Sequence, residues 1–354
     1  MNSDRMIAGN DEAAGLRIAH IMAGAATGGA ELFFERLTTA QHRAGDTILP
    51  VIRRDPARAA RLVESGLAPI ELRFGGRLDF TTRPLLRDAL RQFAPRVAIA
   101  WMNRAARFTP RGNWVLAGRL GGYYDLDYYR RCDHLIGNTR GIAAYITAQG
   151  WAPARVHHLP NFAPDFAGFP PERLGIPPDV PLVLAMGRLH RNKAFDVLIQ
   201  ALKALPGVHA IIAGDGPERS ALQALARDQG VDGRLHMPGW RQDTGALLAG
   251  CDVLACPSRH EPLGNVVVEA FSAGRPIVAA AAAGPRELIR ANEDGLLVPI
   301  EDSAALATSL GLVLGTPALA TRLALAGRAR FVAEFAEQPV LACWRTFLTT
   351  VEKP

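Results

Sequence analysis

The sequence predicts an α/β protein of two domains, each built on a parallel sheet, and three observations carry that prediction. From Leu16 onwards short apolar runs alternate with amphipathic helical stretches, the mark of stacked β-α-β units. The chain has 354 residues, more than one core usually organises, since domains commonly run to about 100–200 residues. A proline-rich stretch, NFAPDFAGFPPERLGIPPDVP, then breaks the pattern, because repeated proline forbids regular helix or central strand. Residues 16–168 are therefore read as the first domain and 169–335 as the second, after a polar, Gly/Ala-rich leader over 1–15. Two such sheets should face each other across a cleft, with ligands at the carboxyl ends of the strands.

In the first domain LRIAHIM reads as a strand, followed by a turn at Gly28 and Gly29 and a helix through ELFFERLTTAQHRAG. TILPVI, APRVAIAWM, NWVLAGRL and HLIGNT are further strands. PLLRDALRQF sets Leu86, Leu90 and Phe93 at helical spacing, with Arg83, Arg87 and Arg91 on another face. The second domain restarts at VPLVLAMG and continues through HAIIAG, DVLACP and RPIVAA, separated by helices such as FDVLIQALKAL and ERSALQALARDQG. The last segment, within 336–354, is helical with a break at Pro339, and its helix is expected to cross back to the first domain.

Composition fits an ordinary globular protein, with 49% hydrophobic and 21% charged residues. The net charge of +6 is unevenly placed: up to Pro170 there are 22 Arg and no Lys against 15 acids, and 18 Lys+Arg against 19 acids thereafter. Such a basic first half fits an anionic partner, either a membrane surface or a phosphorylated acceptor; solvated arginines in an Arg-rich composition fit it equally well. Nucleic acid is not among the expected partners. Cys132, Cys251, Cys256 and Cys343 lack metal-ligand spacing and read as small core residues of a reducing compartment. Arg5 is followed by no apolar segment of a signal peptide, and no apolar run approaches the ~18 residues of a membrane span. The expected location is cytoplasmic, with peripheral contact on the inner membrane face left open.

The strongest chemical signal is HEPLGNVVVEAFSAGRPIVA, where the strand DVLACP ends in a polar loop and a helix starts near Gly264. A helix start presents unbonded N–H groups and a positive dipole end, so the amides of Leu263, Gly264, Asn265 and Val266 make a cradle for a diphosphate. Glu261 and Glu269 bracket the cradle with seven residues between them. Carboxylates beside an anion site need hydroxyl donors, so ribose suits Glu269 and a transferred sugar suits Glu261. In GRLHRNK, directly after VPLVLAM, Arg188 and Lys193 form a basic pair that can meet the same diphosphate and stabilise it as a leaving group. TGGAE at 27–31 lacks dinucleotide-fingerprint spacing, yet Gly28 and Gly29 allow backbone to approach a ligand.

Taken together, Gly28-Gly29, GRLHRNK, IIAGDGPE, MPGW, the Glu261/Glu269 pair and AGPRELI resemble glycosyltransferase family 4, the retaining enzymes of the GT-B fold, over nearly the whole chain. The resemblance implies two Rossmann-like domains, a nucleotide-diphosphate sugar as donor, retention of anomeric configuration, and no metal or other cofactor. It places Arg188 and Lys193 on the donor diphosphate, Glu269 on the ribose and Glu261 near the donor sugar. Asp215 in GDG is then a turn residue. The acceptor would be a glycan or lipid-linked hydroxyl, as in lipopolysaccharide, exopolysaccharide or glycolipid synthesis. One departure stands out. Many members carry a histidine near the transferred sugar, and the matching stretch here, GRLGGYYDLDYY, offers Tyr123, Tyr124 or Asp125 instead.

His260 and His134 read as polar filling and as a structural residue, Glu287 as a helix-terminal acid, and Trp240 as either a base-stacking ring or a packing one. Alternative functions are a same-fold epimerase or phosphorylase, and a non-catalytic nucleotide-sugar-binding module.

Overall fold

The computed structural model describes residues 15–26, 28–76 and 78–354. The leader expected over 1–15 lies outside them apart from Gly15, as does Thr27 of the TGGAE segment. The chain divides into two compact units. Unit 1 comprises the residues up to Asn138, Ile142–Leu159 and Leu341–Pro354; unit 2 comprises Thr139–Gly141 and Pro160–Val340. The division thus falls at Leu159/Pro160, ahead of the boundary read from the prolines.

Unit 1 runs β1 (Arg17–Met22), α1 (Gly29–Arg43), β2 (Thr47–Arg53), α2 (Pro56–Glu64), β3 (Ile70–Leu72), α3 (Thr82–Phe93), β4 (Val97–Trp101), α4 (Met102–Phe108), β5 (Val115–Leu120), β6 (His134–Gly137), α5 (Arg140–Ala148) and β7 (Val156–His158). The strands form one sheet in the order β3-β2-β1-β4-β5-β6-β7, all parallel. On one face Ala19, Ile21, Ala98, Ala100 and Leu116 pack with Leu86 and Leu90 of α3. The spacing that predicted that helix therefore points Leu86 and Leu90 inward, and Arg87 and Arg91 stay exposed.

The opposite face of this sheet is polar at its centre. Trp101 donates its indole N–H to His20 Nδ1 at 3.1 Å, and His20 Nε2 lies 2.8 Å from Gln41 Oε1. Since the indole is donor only, His20 must be neutral with its proton on Nε2. Burial pushes its pKa down to about 3, against the Gln41 hydrogen bond. The guanidinium of buried Arg119 lies 4.4 Å from the Trp101 ring and 4.9 Å from Phe33.

Unit 2 runs β8 (Leu182–Met186), α6 (Phe195–Lys203), β9 (His209–Ala213), α7 (Arg219–Asp228), β10 (Leu235–Gly239), α8 (Thr244–Gly250), β11 (Val253–Cys256), α9 (Asn265–Ser272), β12 (Ile277–Ala280), α10 (Ala283–Leu288), β13 (Leu296–Val298), α11 (Ser303–Gly315) and α12 (Pro317–Arg330). Its parallel sheet has the order β10-β9-β8-β11-β12-β13. Alternation assigns Val183, Ala185, Ile212 and Val253 to the side of α6. Leu182, Leu184, Ile211 and Leu254 go to the side of α8 and α9, with Leu248, Val267 and Phe271.

The chain ends in α13 (Glu337–Thr350), whose residues from Leu341 onward belong to unit 1. There Arg96 donates to the carbonyls of Leu348 and Thr349 at 2.8 and 2.7 Å, and Trp344 and Leu348 are buried. The break before this helix falls at Ala336, in extended conformation, and not at Pro339. Pro339 sits in the first turn, where its missing N–H has no intrahelical acceptor to lose. Cys132, Cys251 and Cys256 are buried, whereas Cys343 is exposed on α13, because the buried stripe of that helix runs through Val340, Trp344 and Phe347. Among the described residues no single helix is long and apolar enough to cross a membrane.

The folded-state pKa of His20 lies below the ordinary 6.5, so the unfolded chain binds the extra proton and stability falls as pH drops through 6.5. Between pH 7 and pH 5 urea denaturation should show a loss of about 2 kcal/mol from this residue. A His20→Asn chain should decline less steeply over the same range.

Candidate active site

In unit 2 the strand order reverses between β8 and β11. Connections leaving the carboxyl ends of two such strands turn to opposite faces of the sheet and leave a crevice between them. The β8 loop carries Arg188 and Lys193, and the β11 loop carries Glu261 and leads into α9.

The β8 loop is fixed by the GDG turn after β9. Gly187 N–H donates to Ala213 O at 3.0 Å and Leu189 N–H to Asp215 O at 2.9 Å. The backbones approach so closely that a Cβ on Gly214 would sit 1.8 Å from Gly187 O. Asp215 accepts from Gly216 N–H at 2.7 Å and from Arg219 Nε at 3.0 Å, which is the work of a turn residue. Among the described residues no group of three His, Cys, Asp or Glu side chains is arranged to hold a metal ion.

The β11 loop enters α9 through Gly264, whose φ of 88° lies in the left-handed region that a Cβ disfavours. The turn swings the chain so that Val267 N–H closes back on Gly264 O at 2.9 Å. Among the described residues the amides of Leu263, Gly264, Asn265 and Val266 have no acceptor. Leu263 and Gly264 are buried and Asn265 and Val266 half-buried, with the Asn265 carboxamide held by Asn161 at 3.1 Å.

The two loops meet through Lys193, whose ammonium donates to Glu261 Oε2. Ser258 Oγ also donates to that oxygen, at 3.2 Å. Burial opposes the charge on Lys193, yet Glu261, with smaller contributions from Cys256 and Glu269, holds its pKa above the ordinary value. Lys193, Glu261 and Glu269 therefore share one electrostatic neighbourhood, with Glu269 half-buried on α9. The Lys193 stem lies over Gly187. The next residue, Arg188, is exposed and has no hydrogen bond or ion pair among the described residues.

Residues that the sequence reading passed over hold this pair in place. Arg259 donates to both Asp196 oxygens at 2.8 and 2.6 Å and to Arg191 O at 3.0 Å, and it also pairs with Glu301. Hydrogen bonds to Asp196 outweigh burial and raise the Arg259 pKa. The amides of Arg259 and His260 both donate to Asn192 O, at 2.8 and 3.2 Å. Asp196 was legible as an acid in the first turn of α6; no local pattern marks Arg259 or Ser258.

The other candidates lie in unit 1 or on the exposed surface of unit 2. Gly28 and Gly29 lie in unit 1, where Gly29 opens α1, and a Cβ on Gly28 would strike the Glu31 carboxylate at 2.4 Å. The absence of a side chain at Gly28 thus leaves room for Glu31, which folds back to accept from Ala25 N–H at 2.8 Å. Asp125 accepts from Asp127 N–H at 2.9 Å and shapes the local turn. Tyr123 is exposed and edge-on to Tyr145, while Tyr124 is half-buried. His134 is bonded to His157 and to Glu352 O, His260 is exposed, and Trp240 is 57% exposed, which excludes a core role for that ring.

Comparison with known proteins fits this geometry. Residues 180–316 match the family model described as glycosyl transferases group 1. The chain is 35% identical over 335 residues to the lipopolysaccharide core biosynthesis glycosyltransferase LpsE of Rhizobium meliloti, covering 91% of this chain and 96% of that protein. The chain belongs to the group 1 glycosyltransferases. Within this family it is also 33% identical to the glycosyltransferase LpsD of the same organism, over 92% and 96% of the two chains. The fold of HepE from Anabaena, solved with UDP and glucose, superimposes with a TM-score of 0.82 at 21% identity, covering 95% of this chain and all of that one. This glycosyltransferase therefore has the GT-B fold, with its two parallel sheets.

Arg259 touches neither the amide cradle nor the Glu261 carboxylate, but it ties the loop that carries Glu261 to α6. In the glycosyltransferase, Arg259→Met is expected to lower turnover by about 10- to 100-fold through misplacement of Glu261. Steady-state assays beside thermal melts check this, since a purely structural loss would lower the melting temperature without a turnover change in the fraction that remains folded.

Proposed function

We propose that this glycosyltransferase takes a nucleotide-diphosphate sugar as donor and transfers the sugar with retention of anomeric configuration. The supporting observation is the run of four acceptor-free amides at 263–266 beside Lys193, Glu261 and Glu269. Such amides at a helix start favour a diphosphate. Arg188 supplies a free guanidinium fork, and Lys193, with three donors, can keep Glu261 while contacting a phosphate oxygen. Glu269 is suited to the ribose diol and Glu261 to a hydroxyl of the donor sugar. The anomeric C–O bond to the diphosphate breaks, the acceptor oxygen bonds that carbon from the same face, and the acceptor proton passes to the departing phosphate. The amides and the two cations meet the charge that develops on the leaving group, so no metal is invoked. That HepE was solved with UDP and glucose is in keeping with this reading.

Melting curves with UDP-, GDP- and ADP-sugars test the donor. The bound nucleotide should stabilise the protein by about 2.7 kcal/mol at a hundredfold excess over its Kd. Arg188→Ala and Glu269→Ala should each weaken that donor by about tenfold or more; unchanged affinity and turnover in both would refute the assignment.

The acceptor reading is a saccharide of a lipid-linked envelope glycan, in keeping with the lipopolysaccharide core named for LpsE and LpsD. A surface of unit 1 supports contact with an anionic membrane. Asp79 accepts from Gly75 N–H, Thr82 N–H and the Thr82 hydroxyl at 2.7, 3.0 and 2.6 Å. This knot displays Leu78 and Phe80, 86% and 76% exposed, next to α3 with its exposed Leu85. Burial, then the proximity of Arg131, Arg87 and Arg107, lowers the Arg83 pKa, so four guanidiniums crowd together beside these apolar residues. Each apolar side chain entering lipid contributes roughly 1.5–3 kcal/mol, and each arginine near an anionic surface about 1 kcal/mol. Co-sedimentation should therefore show binding to phosphatidylglycerol-containing vesicles that weakens with salt and falls about tenfold or more in Leu78→Ser/Phe80→Ser. Binding indifferent to both salt and anionic lipid would refute the contact.

A further inference from the structure

Arginines from α3, from the end of α4 and from the segment ahead of β6 converge on one carbonyl oxygen of unit 1. Arg83, in the first turn of α3, is half-buried, and its Nη2 donates to Arg107 O at 2.8 Å. Arg131 Nη1 reaches the same oxygen at 3.5 Å, while Arg111 Nε fastens the Arg131 carbonyl at 2.8 Å. Arg87, Arg107 and Arg131 are exposed, so the cluster faces solvent.

No acid answers these charges. Among the described residues Arg83, Arg87, Arg107 and Arg131 make no ion pair. Asp127 is taken by Arg130 at 2.6 Å, and buried Asp133 accepts from Leu116 N–H at 2.9 Å. Asp88 adjoins Arg87 in α3, where adjacent residues do not face each other. Burial, then Arg131, Arg87 and Arg107, lowers the Arg83 pKa, so the charges acting on that guanidinium are all of its own sign. Like charges held this close repel, and one carbonyl dipole offsets only part of the repulsion. Each guanidinium has five N–H donors in a planar fork, most of them unused here. Spare forks, excess positive charge and access from water together make the chemistry that recognises phosphate. A monoester suits it best, with about −1.5 to −2 charges and three strong acceptor oxygens at neutral pH, where a diester offers less of both.

We propose that Arg83, Arg87, Arg107 and Arg131 form a receptor for a phosphate monoester. The receptor is independent of the transferase reading and goes beyond the membrane contact, because recognition is assigned to the fork geometry of four arginines and not to net charge. The group recognised is the same whether a lipid headgroup or a small molecule in solution bears it.

Two matched pairs of probes, each used with the full chain, test the receptor. Vesicles containing phosphatidic acid, a monoester, are compared with vesicles containing phosphatidylglycerol, a diester, at equal zeta potential. Glycerol 3-phosphate is compared with glycerophosphoglycerol in solution by phosphorus NMR titration. The monoester should be preferred by about tenfold or more, in the vesicle pair if a headgroup is the source and in the soluble pair if a free phosphate is. Arg83→Lys/Arg131→Lys keeps the charge and removes two forks, so the preference should fall to about twofold or less while phosphatidylglycerol binding stays as in the wild type. Arg87→Lys/Arg107→Lys, at exposed positions, gives the same readout if the first pair lowers the melting temperature. A preference that survives both lysine variants overturns the proposal. Vesicle binding with no monoester preference in either pair keeps the membrane contact and strikes the receptor, whereas a soluble preference without vesicle binding does the reverse.

Discussion

The ion pair between Lys193 and Glu261 closes the crevice floor of unit 2. It joins loops that leave neighbouring strands towards opposite faces of the sheet, and parallel topology alone would let them diverge. The backbone of Glu261 is anchored as well, its carbonyl accepting from Gly284 N–H at 2.7 Å just before the turn through Gly264 that sets the direction of four backbone amides. A partly buried pair of this kind contributes little net stability, since desolvation offsets most of the attraction. Its value is positional, and the surrounding network around Arg259 serves the same end. The site is thus made from inexpensive backbone geometry held in place by a few charged side chains.

Much of the fold was legible because central strands of parallel sheets are continuous apolar runs. The strands β1, β2, β4, β5, β6, β8, β9, β11 and β12 all correspond to segments read from the sequence. The four that escaped notice, β3, β7, β10 and β13, are the outermost strands of the two sheets. An edge strand has one neighbour and a partly solvated face, so it needs fewer residues and less apolar character. β7 and β10 show this directly, since neither contains a buried residue. The misplaced break at Pro339 has a similar cause: proline signals where a helix cannot continue, but it is equally at home where one begins.

The candidate site divides along another line. Lys193, Glu261, Gly264 and Glu269 lie within short segments whose order of strand end, turn and helix start carries the chemistry, so sequence reading reached them. Arg259 and Ser258 lie in the same segment yet act through partners whose positions only folding determines. At Gly28 the structure adds a contact that the sequence does not show, since a Cβ there would meet the Glu31 carboxylate at 2.4 Å.

The residues from Leu341 onward complete unit 1, with Trp344, Phe347 and Leu348 buried there and Arg96 fastened to their backbone. The last segment of unit 1 is thereby separated from the earlier ones by Pro160–Val340, nearly all of unit 2. During synthesis the second unit can condense while the first still lacks a piece of its core. Unit 1 is complete only once α13 is available to it, so until then its earlier segments carry an unfinished core that is open to association with other chains.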